Sequence, residues 1–488
     1  QAPGYSDAAV HLAAARTVAA LADTLDFDEM EFLPFLQDAL AALVYALSHE
    51  LEEIDSIRTM ANALTVVIER MGLHIQPYAA MLAELVTTLW ARDDPEARAK
   101  PSLLEFLSKL VDTCAPGMDG DLLVRMHALI AHVVQASLAP AYAPLLGQDA
   151  LLLWAHTMQA TPRMTPALME LLCMAPELVA QPDFGSLMCR TWEDYVLLVP
   201  NEILHHFGLA FYGALAPIVA DPTSSIILAP LCAVRTHIRT LDAAGLCTLA
   251  EQLHVTGLGR AIIDTLYRDE TSAVVQACIL LISQLAIKMP APHFHELVRA
   301  CAPKEPPVWP TVCTCMIKKG QDMALTRYRK LVALGLASML KGSSSSSNSI
   351  SADGSMAPHP DASLLTCIPG IIGLWTEVLG EVVEDDSGNS TVYKREPSPD
   401  RPLDAMQDDF IHMDQCVGEA TWQESMSPGA ERLEAFRTQD PAFTVPIRAF
   451  LADTLNKVLQ ANPANTPQGL ELHQQLQQMD PLVLDMLQ

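Results

Sequence analysis

Side chains that could do chemistry fall into a few tight groups: His205 with His206, His293 with His295, Cys313 with Cys315, the acidic run Glu384, Asp385 and Asp386, and the acidic pair Asp408 and Asp409. A helical metal site needs two imidazoles at i and i+4, where both lie on one face. Adjacent histidines point about 100° apart on a helix and histidines two apart face opposite ways. Surface or satisfied core histidines are the simpler reading. Cys313 and Cys315 make one C-x-C without the second pair a zinc site uses. The run GLGRA at 257–261 lacks the third glycine and the preceding strand of a dinucleotide fingerprint, and there is no phosphate-binding lysine loop and no nucleophile elbow. We assign no catalytic residue, no metal and no cofactor, and expect no enzyme.

What the acidic residues offer is charge. Glu384, Asp385, Asp386, Asp408 and Asp409 would hold a basic partner by raising the local potential and speeding encounter; the plainer alternative is a solvated acidic face. Ser398 and Ser427, each followed by proline, would deepen that charge if phosphorylated. Arg327, Arg329 and Lys330 read as neutralising helix ends or acidic neighbours. Trp90, Trp154, Trp192 and Trp375 recur at helical core spacing and read as packing, with a grip on peptide phenylalanines as the alternative.

The elements that must position these groups are helical. In LTVVIERMGLHIQPYAAMLAELVTTLW, residues 64–90, Leu64, Val67, Ile68 and Met71 repeat at i, i+3, i+4 and i+7. Tyr78, Leu82, Leu85, Val86 and Leu89 repeat the pattern after a corner, so each segment carries one apolar stripe. Gly72 suits a left-handed C-terminal cap, and Pro77 suits the first turn of the second helix. Such pairs recur to Pro290 at a period of about 40 to 47 residues, the HEAT or armadillo period. One pair cannot bury its own stripe, but stacked neighbours can. AVVQACILLISQLAI, 273–287, is apolar nearly all round and reads as an inner helix.

The fold class expected is therefore all-α, an α-solenoid of HEAT-type helical hairpins. Its parts are a solenoid over 1–340, a disordered Ser-rich linker or loop over 341–363, a further solenoid helix over 364–380, an acidic and largely disordered insertion over 381–440, and a C-terminal helical cap over 441–488. The 30 basic residues against 58 acidic give a formal charge of −28, which disfavours nucleic acid because phosphate binding needs a basic stripe. Basic protein partners fit instead. No apolar run free of charge or proline approaches the roughly 20 residues of a membrane span, and QAPGYSDAAV at the start lacks a basic n-region. We expect no membrane insertion. Eleven scattered cysteines, odd in number, suggest a reducing compartment.

Residues 64–90, DALLLWAHTMQATPRMTPALMELLCMAPELV, WEDYVLLVPNEIL, TRYRKLVALGLASML and RLEAFRTQDPAFTV together resemble the carboxy-terminal half of receptors of the importin-β karyopherin family. That resemblance implies a nuclear transport receptor that shuttles between cytoplasm and nucleus through the nuclear pore. The partners it implies are protein cargo, Phe-Gly nucleoporins and Ran-GTP. Family members are about twice this length, and the amino-terminal repeats that chiefly grip Ran have no counterpart here. A generic HEAT-repeat scaffold or adaptor, of the vesicle-coat or phosphatase kind, is the other reading.

Overall fold

Leu64, Val67, Ile68 and Met71 are fully buried, and the stripe they form is repeated along the chain. A computed structural model describes residues 7–49, 53–92, 94, 96–118, 120–268, 272–302, 307–344, 362–384, 391–393 and 428–477. Among these, residues up to Leu198 with 428–432 form one compact unit, and those from Val199 to 393 with 433–477 form a second.

The first unit contains α1 (Asp7–Ala22), α2 (Glu29–His49), α3 (Ile54–Met71), α4 (Ala79–Trp90), α5 (Lys100–Cys114), α6 (Gly120–Ser137), α7 (Ala143–Ala160), α8 (Pro166–Leu171), α9 (Ala175–Val179) and α10 (Pro182–Leu198). Helices α1, α3, α5, α7 and α10 pack one on the next as a row, and α2, α4, α6 and α8 form a second layer against them. That is the stack the periodicity predicts. Each apolar side chain sealed between successive helices contributes about 1.5–3 kcal/mol, which no isolated hairpin could collect.

The second unit contains α11 (Pro200–Ile203), α12 (Leu209–Ala220), α13 (Leu228–Thr240), α14 (Ala243–Val255), α15 (Leu258–Leu266), α16 (Ala273–Lys288), α17 (Ala291–Cys301), α18 (Val308–Gln321), α19 (Thr326–Ser344), α20 (Ala362–Leu365) and α21 (Ile368–Glu381). A short antiparallel hairpin follows, β1 (Val382–Glu384) with β2 (Thr391–Tyr393), in the register Val382 opposite Tyr393 and Glu384 opposite Thr391. Then come α22 (Pro428–Thr438), α23 (Pro441–Thr444), α24 (Ile447–Ala461) and α25 (Pro467–Gln477); the residues of α22 up to Arg432 belong to the first unit. Helices α13, α16, α19 and α24 form the continuous row. Every residue of α16 from Val275 to Ala286 is buried, as its all-round apolarity requires.

The opening corner departs from expectation at Pro77. Gly72 has φ +50° and donates its N–H to the Ile68 carbonyl, a conformation that glycine adopts without Cβ strain. Residues Gly72–Tyr78 then form a 3-10 run that contains Pro77, and α4 starts only at Ala79. A proline ring inside an α-helix collides with the carbonyl four residues back, so α spacing resumes after it.

Three boundaries also move. Helix α19 continues through Lys341 to Ser344 and α20 begins at Ala362, leaving 345–361 of the expected linker outside the described residues. Helix α22 lies within the span expected as acidic insertion. Arg432 on α22 donates to the Met158 and Thr161 carbonyls at 2.8 Å each, so this stretch is tied down despite its polar composition. By length and composition Glu29–Ser48 and Pro200–Ala220 would pass as membrane spans. Each instead sends one side into its unit, through Leu36, Leu40 and Leu47 in the first and Phe211, Tyr212 and Leu215 in the second.

The repeats are linked by a recurring polar device. A helix leaves its last carbonyls without intrahelical partners, and here a long cation about one repeat further on reaches back to them. Arg92 donates to the Leu47 and Ser48 carbonyls at 2.7 and 3.0 Å, and Arg70 to that of Asp23 at 3.3 Å. In the second unit Arg268 reaches Ala220 at 3.3 Å, Lys288 reaches Leu241 at 3.1 Å as well as Arg239, and Lys319 reaches Leu266 at 3.2 Å as well as Arg268. The separations run from 44 to 53 residues.

Two substitutions test the stack. Lys319 is buried, so Lys319→Met keeps its length while stripping two carbonyls of a charged donor, and should cost about 2 kcal/mol in urea-unfolding free energy. A Cβ on Gly335 would lie 2.7 Å from the Ser283 Cα, which is backbone and cannot swing aside. Gly335→Val should therefore destabilise the second unit by about 3 kcal/mol or more, against little effect of the same change at Gly373, where nothing lies within 4 Å.

Candidate functional site

Of the five acidic residues expected to meet a partner, Glu384 lies at the end of β1, paired with Thr391. Asp385, Asp386, Asp408 and Asp409 lie outside the described residues, as do Ser398 and Ser427. The helix leading into this region is firmly held. Glu381, the last residue of α21, pairs with Arg329 at 2.5 Å and accepts from the Thr326 hydroxyl at 2.8 Å. Gln321 donates to Glu377 at 2.8 Å. Arg329 thus does what its place in the sequence suggests: it neutralises an acid at a helix end.

Beyond the acidic region, in the second unit, Asp440 caps α23 by accepting from the Ala442 N–H at 2.8 Å and pairs with Arg239 at 3.2 Å. Both side chains are about nine-tenths buried. Arg239 also lies over the Phe436 ring, 3.7 Å from its centroid, and donates to the Phe436 carbonyl at 2.8 Å. Acidic residues 385–427 are therefore bounded in sequence by two well-anchored segments.

A second feature was not singled out from the sequence. Helices α13, α16 and α19 carry seven Lys and Arg residues (Arg235, Arg239, Lys288, Arg327, Arg329, Lys330 and Lys341) and no Asp or Glu. These three helices stack as one row. Their cations serve the structure: Lys288 caps α13, Arg329 holds Glu381, Lys341 pairs with Asp453 at 3.0 Å and lies over Phe450, and Arg235 and Arg327 lie over the Tyr328 ring. Lys330 is fully buried. The signal was present as three helices without one acid in a chain of 58.

Some polar groups of the core are paired across repeats. Trp154 donates its indole N–H to the Tyr195 hydroxyl at 2.8 Å, which donates in turn to the Leu168 carbonyl at 2.6 Å. Trp154, Trp192 and Trp375 have no exposed surface and Trp90 little, so all four are packing residues. His237 lies 2.5 Å from the Tyr212 hydroxyl through Nδ1 and 2.9 Å from the Pro200 carbonyl through Nε2. A carbonyl can only accept, so Nε2 carries the proton and Nδ1 accepts from Tyr212. Burial lowers the His237 pKa to about 4, against the bond to Pro200, and burial with the nearby Arg163 charge lowers His127 to about 4. His205 and His206 lie on a π-helical turn, Leu204–Gly208, and His295 packs its ring on Trp309 at 4.7 Å. Among the described residues no three His, Cys, Asp or Glu side chains gather as a metal site would need.

A family model described as Importin-11-like, TPR repeats, matches residues 101–488. Human importin-11 is 24% identical over 221 residues, covering 45% of this chain and 22% of that protein. The importin beta-like protein kap113 of Schizosaccharomyces pombe is 20% identical over 494 aligned residues, covering 99% of this chain and 44% of that protein. The chain thus spans less than half the length of these relatives. Among solved structures, an engineered protein superposes with a TM-score of 0.53 at 12% identity, covering 99% of this chain and 96% of the other, a likeness of fold alone. A TPR unit is about 34 residues and a HEAT unit about 40 to 47. The 44 to 53 residues between each capping cation and its carbonyl favour the longer, HEAT-type unit.

The buried histidines give the protein a pH dependence. His237 protonates near 6.5 when unfolded and only near 4 when folded. Between those values the unfolded state holds the extra proton, so unfolding free energy falls as pH falls. The stability is intact above about pH 6.5 and is lost progressively down to about pH 4, with about 3 kcal/mol attached to His237. Urea unfolding at pH 7 and pH 4.5 should show the loss, and His237→Gln should shrink it; an unchanged pH slope in that variant would remove His237 from the account.

Proposed function

Since the chain belongs to the importin-11-like family of karyopherins, we propose that it is the repeat segment of a nuclear transport receptor that holds basic protein cargo during import. The observation that carries this reading is the family match over residues 101–488, with helical hairpins stacked within each unit. Supporting it is the charge arrangement: cations spent inside the stack and an acidic region, 385–427, bounded by anchored segments. Glu384, Asp385, Asp386, Asp408 and Asp409 form the patch that attracts cargo. Phe-Gly nucleoporins bind the repeats during passage, Ran-GTP brings release, and the receptor moves between cytoplasm and nucleus.

An acidic patch facing solvent acts through screened electrostatics. At about 0.15 M salt the Debye length is near 8 Å and at 1 M near 3 Å, so its contribution must fade as salt rises. Deletion of 385–427, which removes β2 but leaves α21 and α22 in place, should weaken binding of a Lys/Arg-rich peptide strongly at 50 mM salt and little at 500 mM, in a titration followed by fluorescence anisotropy. Equal affinity with and without the segment at low salt would end the acidic-patch assignment. Retention of the chain on Phe-Gly-repeat beads tests the transport reading separately, and failure there with intact folding would favour a scaffold outside transport.

A further inference from the structure

Ten cysteines lie among the described residues, and none of them is in a disulfide. Most are inert core fillers: burial pushes Cys114 and Cys278 up to about 12 and Cys301 to about 11, which keeps them protonated and unreactive. Cys313 and Cys367 differ because they touch each other. Cys313 is fully buried on α18, and the packing of α18 on α21 sets it beside Cys367, which is half-buried at the N-cap of α21. The separation is held by packing rather than by loose loops: Gly370 in the first turn of α21 lies under Ile317 of α18, and Gly320 of α18 faces Leu374 of α21.

The surroundings of Cys367 favour its thiolate. It stands where α21 presents unpaired N–H groups and the positive end of its dipole. The neighbouring Cys313 thiol chiefly, and the Thr366 hydroxyl in addition, draw its pKa down against burial, while Cys367 in turn pushes Cys313 up. As a thiol, Cys367 instead donates weakly to the Ser363 carbonyl at 3.8 Å. One cysteine is thus reactive and reachable, and the other is in contact behind it and shielded from solvent. A nucleophile with a resolving partner is the arrangement of a reversible dithiol.

We infer that Cys313 and Cys367 form a redox modification site that closes to a disulfide on reaction with a small-molecule disulfide such as oxidised glutathione. The Cys367 thiolate attacks one glutathione sulfur and the glutathione S–S bond breaks. One glutathione thiolate leaves and takes up the proton Cys367 gave, and a mixed disulfide remains. Cys313 loses its proton, attacks the Cys367 sulfur, and expels the second glutathione as its thiol. Two electrons pass from the cysteine pair to glutathione disulfide, and the protein loses two hydrogens. The new bond ties α18 to the start of α21 and closes residues 313–367 into a covalent ring; reduced glutathione reverses the sequence. This site is independent of the transport reading.

The test uses the full chain in glutathione buffers of graded ratio, read by intact mass and by peptide mapping after quenching with an alkylating agent. The expected result is a loss of two mass units with a linked Cys313–Cys367 peptide, restored by excess reduced glutathione. Before oxidation, Cys367 should alkylate about threefold faster at pH 7 than Cys173, which is more exposed but has no such neighbour. Cys313→Ala should leave glutathione stranded on Cys367. Should that variant fail to fold, Cys367→Ser serves instead, with the two-unit loss abolished. Oxidation of other thiols while 313 and 367 stay reduced, or the same two-unit loss in Cys367→Ser, would overturn the assignment.

Discussion

The architecture depends on satisfying helix C-termini from the following repeat. Stacked hairpins bury their helix ends, and a buried carbonyl without a donor costs about 1–3 kcal/mol. Here Arg92, Arg268, Lys288 and Lys319 supply the donors from roughly one repeat downstream. A cation suits this end of a helix twice over, by hydrogen bonding and by the sign of the dipole. The same contact fixes register, because a side chain of fixed length reaches the right carbonyl only when neighbouring hairpins are correctly aligned.

That device has an electrostatic consequence. A chain with 30 basic residues commits many of them to carbonyls, rings and buried acids. Acids have no comparable role at helix C-termini; among the described residues Asp94, Glu193 and Asp440 are buried, and most others keep exposed surface. Net charge alone argues for a basic partner, and the division of labour strengthens the argument: the cations that might offset the acidic surface are already engaged. Lys330 without exposed surface, and Arg239 about nine-tenths buried against Asp440, are the clearest cases.

Much of the fold was legible because burial imposes a period. The stripe through Leu64, Val67, Ile68 and Met71, the all-round apolarity of α16, and the four tryptophans each announced their place, and each is buried. Pro77 was misplaced because its geometry tolerates both a first α-turn and a 3-10 run, and sequence alone does not choose between them. Helix α22 was absorbed into the acidic region because its composition is polar; what holds it is Arg432 reaching carbonyls about 270 residues away, a contact no local pattern carries. The candidate site was less readable still. The role of Arg329 could be read from its place in the sequence, yet the basic row needed three helices to be seen as neighbours, and Cys313 with Cys367 are 54 positions apart in sequence.

The perturbed groups also separate binding from catalysis. In an active site, neighbouring charges push titratable groups apart so that one donates while another accepts. Here the shifts at Cys114, His127, Tyr195, Tyr212, His237 and Cys278 all have burial as their leading cause. Burial keeps each of these groups neutral and inert, which is what a support needs. The cysteine pair is the exception among these groups, since there a neighbour rather than burial leads the shift. Among the described residues, groups that burial keeps neutral support the packing, while Cys313 and Cys367, each shifted by the other, are the pair set apart for reaction.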